Sequence, residues 1–276
     1  MTINCNGNLI DLTIPKVMGI LNLTSDSFYD GGKYNSQKKI LLHTEKMLIE
    51  GATFIDVGAY SSRPGAKDIS EEEELRRLLP NLEIILQEFP EILISIDTFR
   101  SEVANRCIDV GACMINDISA GNLDENMFAT IAKLQVPYIL MHMQGIPQTM
   151  QINIKYENLI NDIVYFLSEK INQLKILGVN DILIDVGFGF GKTLDQNYEL
   201  LQKLSLFKSL DLPILTGLSR KSMLYNYLDI SASESLNATT TANTLAILHG
   251  TNILRVHDVK QAVEAVKIIH KTEEFK

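Results

Sequence analysis

Eight short apolar runs punctuate this chain, at positions 17–21, 53–55, 93–96, 113–115, 136–140, 181–184, 213–215 and 252–254. The stretches between them are about as long as one strand-and-helix unit. Each run leads into a polar group: Asn22, Asp56, Asp97, Asn116, His142, Asp185, Ser219-Arg220-Lys221 and Arg255-Val256-His257. Strands alternating with helices in this way predict a (β/α)₈ TIM barrel, an α/β fold whose active site lies at the C-terminal ends of the strands. The polar strand ends are therefore expected to share one pocket.

The length of 276 residues is near the size of one such barrel. No linker or low-complexity tract interrupts it, so 1–276 is expected to form a single domain. A short N-terminal β-hairpin, signalled by Asn6-Gly7, should sit at the barrel bottom. The net charge of −9 argues against nucleic acid and anionic membranes as partners. Any anionic substrate then needs a local basic cluster. No apolar run reaches the length of a membrane span. Cys5, Cys107 and Cys113 lack metal-like or redox-like spacing, which fits a reducing compartment. A cytoplasmic location is expected.

Helix signals fall between the runs. Ser70 and Glu73 form a capping box ahead of Leu75, Leu78, Leu79, Leu82 and Ile85. The acidic run 71–74 is expected to complement the helix dipole. Thr193 with Gln196, and Ser231 with Glu234, repeat the cap signal, and Gly250 reads as an αL cap. Two strand-end segments, 24–36 and 58–69, are longer than a connector needs and suggest lids or binding loops.

One Asp or Asn after a strand is most simply a cap. Four at the same end, Asp56, Asp97, Asn116 and Asp185, form a coherent set. A carboxylate accepts two parallel N–H bonds, and an amide offers donor and acceptor side by side, which suits a flat, nitrogen-rich heterocycle. The stretch 187–193, Gly-Phe-Gly-Phe-Gly-Lys-Thr, fails the Walker pattern because Val186 stands where its first glycine belongs. It reads as a strand-to-helix turn whose glycines let backbone and Phe188 or Phe190 approach a planar ligand. Ser219-Arg220-Lys221 offers a hydroxyl, backbone N–H groups and two cations to an anion or carbonyl. Arg255 and His257 alternate to the same side and, with Arg63, match a polyanion. His142 fits a structural and a pocket-lining role equally. No Cys/His cluster resembles a zinc site. Asn22 beside a phosphate pocket is compatible with Mg²⁺, which keeps water and binds through substrate phosphates.

Taken in order, 22–28 with Asp30-Gly31-Gly32, 62–66, Asp97-Thr98, 115–118, 142–145 with 149–151, Asp185 with 187–192, 217–222 and 255–259 resemble the dihydropteroate synthase family over essentially the whole chain. The resemblance implies a transferase of folate biosynthesis and the sulfonamide target. It condenses 6-hydroxymethyl-7,8-dihydropterin diphosphate with p-aminobenzoate, with Mg²⁺ as cofactor, usually as a homodimer. It implies Asp97, Asn116, Asp185 and Lys221 for the pterin, and Asn22, Arg63, Arg255 and His257 for the diphosphate, with Asn22 near the metal. For p-aminobenzoate it implies Phe28, Ser62, Pro64, Phe190, Ser219 and Lys221. Arg63, Lys221, Arg255 and His257 are the expected catalytic group. Ser25, Tyr60, Ser62 and Val186 depart from the common pattern. None removes a pterin or diphosphate ligand, and Tyr60 is expected to alter closure of the second loop.

The chemistry expected of this set is stabilisation of departing pyrophosphate, with an early-dissociating pterin cation captured by a weakly nucleophilic arylamine. Arg255→Ala should then slow turnover far more than it disturbs folding. Two competing readings differ in class. One is a Schiff-base aldolase with Lys221 as nucleophile, against which a salt bridge from Lys221 to Asp185 is expected. The other is a pterin or methyl-folate carrier, which would not need Arg63 or the Phe28 loop.

Overall fold

The computed structural model describes residues 1–23, 33–61 and 68–275, the side chains of 33–36 apart. Strands β1 (Thr2–Cys5) and β2 (Asn8–Asp11) form the expected hairpin. Its two turn residues, Asn6 (φ 51°) and Gly7 (φ 85°), are both left-handed, as a primed two-residue turn requires.

Eight further strands follow: β3 (Lys16–Asn22), β4 (Phe54–Gly58), β5 (Leu93–Asp97), β6 (Met114–Asp117), β7 (Tyr138–Met141), β8 (Ile182–Asp185), β9 (Ile214–Thr216) and β10 (Ile253–Val256). They pair in parallel and close in the order β10-β3-β4-β5-β6-β7-β8-β9. Helices α1 (Lys33–Ile49), α2 (Glu71–Glu88), α3 (Ser101–Val110), α4 (Met127–Leu134), α5 (Leu159–Ile176), α6 (Leu194–Gln202), α7 (Ser222–Leu228), α8 (Leu236–Leu248) and α9 (Val259–Glu273) surround them. This is the predicted TIM barrel. After β9 two helices stand where one suffices. The Ser231–Glu234 signal closes a turn between them, with the Glu234 carboxylate accepting from the Ser231 N–H and hydroxyl, and α8 begins only after Ser235.

Strand alternation creates the site. Met18, Phe54, Met114, Ile139, Leu183 and Ile253 form an apolar lower layer, sealed from below by Ile3, Cys5 and Leu12 of the hairpin segment. Two residues further along their strands stand Asp56, Asn116, Asp185 and Arg255. The same period that buries the lower layer therefore aims these polar groups at the C-terminal mouth. Asp56 and Asn116 lie inside their strands, because β4 and β6 run past the apolar stretches that signalled them.

Candidate active site

Arg255 ties the upper layer together. Its Nε donates to Asp56 Oδ2 at 2.6 Å, and its Nη2 donates to Asp97 Oδ2 at 2.6 Å. Asn116 Nδ2 donates to the same Asp56 oxygen at 3.1 Å. Four strands thus contribute to one buried network. Burial pushes the Asp97 carboxyl up to about 7; Asp56 adds to the rise and Arg255 opposes it. Burial also works against the Arg255 charge, but Asp56 and Asp97 more than restore it. Two carboxylates closed by one guanidinium cannot lose that cation cheaply. The expectation for Arg255→Ala therefore changes: losing the guanidinium should disturb folding as well as turnover, because it ties Asp56 and Asp97 together.

Asp185 ends β8 beneath a turn at 187–191. Its Oδ1 accepts from the Gly187 N–H at 2.8 Å, and burial raises its pKa. Gly187 has φ 70°, and a Cβ there would lie 1.9 Å from the His142 carbonyl oxygen, so only glycine fits. The turn resolves the two phenylalanines. Phe188 is fully buried in the core, whereas Phe190 is half-buried against the mouth cluster of Ile118, Met141, Met143 and Met150. Lys221 Nζ donates to the Phe188 carbonyl and stands 4.3 Å from the Phe190 ring centroid. Burial lowers the Lys221 pKa to about 8, with Asp185 working the other way.

Two sequence expectations about this corner change. Lys221 makes no contact ion pair with Asp185, which acts on it only at longer range; its ammonium touches a carbonyl and an aromatic face. Arg220 does not join an anion site. Its Nε and Nη2 grip the Asp258 carboxylate at 2.9 Å, and Nη1 bonds the carbonyls of Ala232 and Ser233 at 2.9 Å. It locks the α7–α8 connection to the end of β10. Ser219 Oγ lies 3.0 Å from His257 Nδ1 and accepts from the His257 backbone N–H at 3.2 Å, which joins the β9 and β10 ends.

Asn22 closes β3, half-buried and in register with Gly58. Phe28, Ser62, Arg63, Pro64 and the departure at Ser25 lie outside the described residues. Val186 is fully buried. Tyr60 meets Phe99 edge-on at 5.0 Å, lies under the Arg100 guanidinium, and accepts from Gln148 Nε2 at 2.9 Å. Among the described residues no group of three or more His, Cys, Asp or Glu side chains forms a metal cage. A donor set this sparse would hold Mg²⁺ only if water or a bound phosphate completed its shell, with Asn22 the protein oxygen in question.

Sequence reasoning passed over three groups. Asp56 belongs to the four-residue polar set but not to the residues the resemblance implies, and it is the shared acceptor of the network. The acidic run predicts a dipole complement at Glu74. That residue is instead fully buried, accepting from Thr98 Oγ1 at 2.7 Å and pairing with Arg100. The signal was present, because Glu74 falls on the stripe of Leu78, Leu82 and Ile85. Lys192 was seen only as a motif residue, yet it is buried with its ammonium 3.1 Å from His142 Nδ1.

The barrel mouth thus gathers Asp56, Asp97, Asn116, Asp185, Lys221 and Arg255 from separate strand ends. The family model described as pterin binding enzyme matches residues 18–257. The dihydropteroate synthase of Escherichia coli strain K12 is 43% identical, over 99% of this chain and 96% of its own. The crystal structure of Yersinia pestis dihydropteroate synthase with a sulfonamide drug superposes with a TM-score of 0.93 at 41% identity, covering 99% of this chain and 100% of that one. The Xanthomonas albilineans dihydropteroate synthase solved with 4-aminobenzoic acid gives a TM-score of 0.91 at 35% identity, covering 99% and 98%. Because both likenesses run through strands and mouth alike, the chain belongs to the dihydropteroate synthase family of pterin-binding enzymes.

Proposed function

We propose that this chain transfers the pterinylmethyl group of 6-hydroxymethyl-7,8-dihydropterin diphosphate to p-aminobenzoate, giving 7,8-dihydropteroate and pyrophosphate. The convergence of Asp97, Asn116 and Asp185 at one mouth carries the reading. Carboxylates accept the paired N–H groups of the pterin edge, and Asn116 supplies donor and acceptor. Lys221 donates to the ring. Asp97 and Asp185 favour positive charge on it, so the C–O bond breaks early. Arg63, Arg255 and His257 neutralise the leaving diphosphate. Mg²⁺, held by Asn22 and the phosphates, would add Lewis-acid stabilisation of the same charge. Phe28, Ser62, Pro64, Phe190 and Ser219 surround the arylamine, and Tyr60 tunes the second loop. Pyrophosphate release from the pterin diphosphate tests the whole reading. Release is expected with p-aminobenzoate and Mg²⁺ present; no release under any condition overturns it.

The Asp97 carboxyl supplies a pH signature. Its folded pKa, about 7, stands above the ordinary 3.8, so the folded chain holds the extra proton between those values. Asp97 therefore favours the ligand-free fold at acid pH, and this contribution is lost as pH rises through about 7. Only the ionised form accepts two pterin N–H bonds. Titration calorimetry of pterin binding should show affinity rising from pH ~6 to ~8, while the ligand-free melting temperature receives no gain from Asp97. A flat affinity would remove Asp97 from the pterin site.

The active form is a homodimer working in the cytoplasm. The outward face of α8 ends in exposed Leu245 and Leu248, and the neighbouring α7 exposes Tyr227 and Leu228. A helix apolar on its outer side as well as its inner suits a second packed surface. Light scattering should give twice the chain mass; a monomer at micromolar concentration would refute the pairing. No helix among the described residues is long and apolar enough to cross a membrane.

A further inference from the structure

We infer that Lys192 and His142 are positioning residues, which hold the 187–191 turn and, through it, the Phe190 ring and the Lys221 ammonium. The backbone accounting of the turn supports this. Lys192 Nζ donates to the Gly187 carbonyl at 2.9 Å, to the Phe190 carbonyl at 3.1 Å and to His142 Nδ1 at 3.1 Å. The remaining carbonyls are also taken: Phe188 O by Lys221, Gly189 O by Gln151 and Gly191 O by Tyr156. Among the described side chains Lys192 alone joins the first residue of the turn to its fourth, reinforcing the Phe190 N–H bond to the Gly187 carbonyl. Three acceptors match the three protons of an ammonium. No neutral side chain of that length offers as many.

His142 completes the arrangement. Its backbone N–H bonds the Asp185 carbonyl at 2.9 Å, so the ring is anchored to β8 as well as β7. Accepting at Nδ1 requires a neutral ring with its proton on Nε2. Burial, with Lys192 second, holds the imidazole pKa down at about 2, so the ring stays neutral through the working range. Burial likewise lowers the Lys192 pKa to about 7; Asp185 on β8 raises it, and Lys221 after β9 lowers it. Tyr156 bonds the neighbouring Gly191 carbonyl. Deprotonation leaves Lys192 with two protons for three acceptors, so the turn loosens as pH rises.

The inference deepens the proposed reaction and rests on it where p-aminobenzoate is concerned. The experiment uses the full chain and compares wild type with Lys192→Met. Hydrogen exchange tests the turn without reference to activity. The Phe190 N–H, which donates to the Gly187 carbonyl at 3.1 Å, should exchange at least tenfold faster in the variant, with β4 and β5 unchanged. Unchanged exchange overturns the inference. In kinetics, wild-type pyrophosphate release establishes the reaction independently. Lys192→Met should then raise KM for p-aminobenzoate about 10- to 100-fold, the worth of one charge-assisted hydrogen bond. Affinity for the pterin diphosphate should fall as well, but by less, because Lys221, held to the same turn through the Phe188 carbonyl, also donates to the pterin ring. A loss of kcat alone, with both affinities intact, would mark a merely structural lysine and overturn the assignment. If the methionine variant does not fold, Lys192→Gln, which keeps a neutral two-proton donor, carries the same two measurements. His142→Asn, which keeps an acceptor near Nδ1, should outperform His142→Phe in KM for p-aminobenzoate.

Discussion

Arg255→Ala is expected to lose both turnover and stability, and acid should restore the second without the first. The guanidinium satisfies Asp56 and Asp97 at once, each at 2.6 Å, in a barrel interior where Asp56 is fully buried. Removing one partner of a buried pair costs about 3–5 kcal/mol, because the charge left behind has no solvent. That is a large part of the roughly 5–15 kcal/mol that holds a typical domain folded. Without Arg255, the largest influence lowering the Asp97 pKa disappears, so it moves further above 7. The folded variant then takes up a proton that the unfolded chain releases near 3.8. The deficit is greatest at alkaline pH and shrinks as pH falls toward about 5. Turnover should drop about 10²- to 10³-fold, the scale of losing one preorganised donor to developing charge, and acid should not recover it. Thermal melts at pH ~5 and ~8 beside steady-state kinetics check both halves. Equal melting temperatures for variant and wild type at alkaline pH would show that the network contributes nothing to the fold.

The fold was legible because its signals are local. An apolar run of period two and a capping residue announce themselves within a few positions, and eight repetitions leave little choice of architecture. The polar layer was half legible. Asp56, Asp97, Asn116 and Asp185 all stand where short runs stop, but β4 continues to Gly58 and β6 to Asp117, so Asp56 and Asn116 lie within their strands rather than at their tips. The pairing of Asp56 with Arg255 joins residues 199 positions apart, and no local pattern encodes it. Arg220 shows the limit from the other side. Its place in a basic triplet suggested anion binding, while Asp258 and two carbonyls beyond α7 turn it away. Lys192 was hidden by its motif. In a glycine-rich stretch that fails the phosphate-loop pattern it carries no assigned role, and only the carbonyls of the folded turn reveal what its charge meets.

Asp185→Asn is expected to be the most damaging single change to activity while leaving the fold intact. The carboxylate is buried, and burial raises its pKa, so removing its charge relieves the fold. The amide oxygen can still accept from the Gly187 N–H, now 2.8 Å from Asp185 Oδ1. Three functional losses coincide. A pterin N–H loses an anionic acceptor and meets an amide donor, and a site built to hydrogen-bond its ligand loses about 10⁴-fold when a partner goes unpaired. Lys221 and Lys192 also lose the one neighbour that raises both pKa values, now about 8 and about 7. More of each is then neutral at pH 7, so the ring donor and the turn weaken together. The kcat/KM for the pterin diphosphate should fall at least about 10³-fold, with a melting temperature no lower than wild type. Its alkaline limb should move to lower pH, because the lysines deprotonate sooner. An activity within about tenfold of wild type, or an alkaline limb that stays in place, would separate Asp185 from the two lysines and undo the electrostatic coupling proposed for this corner of the barrel.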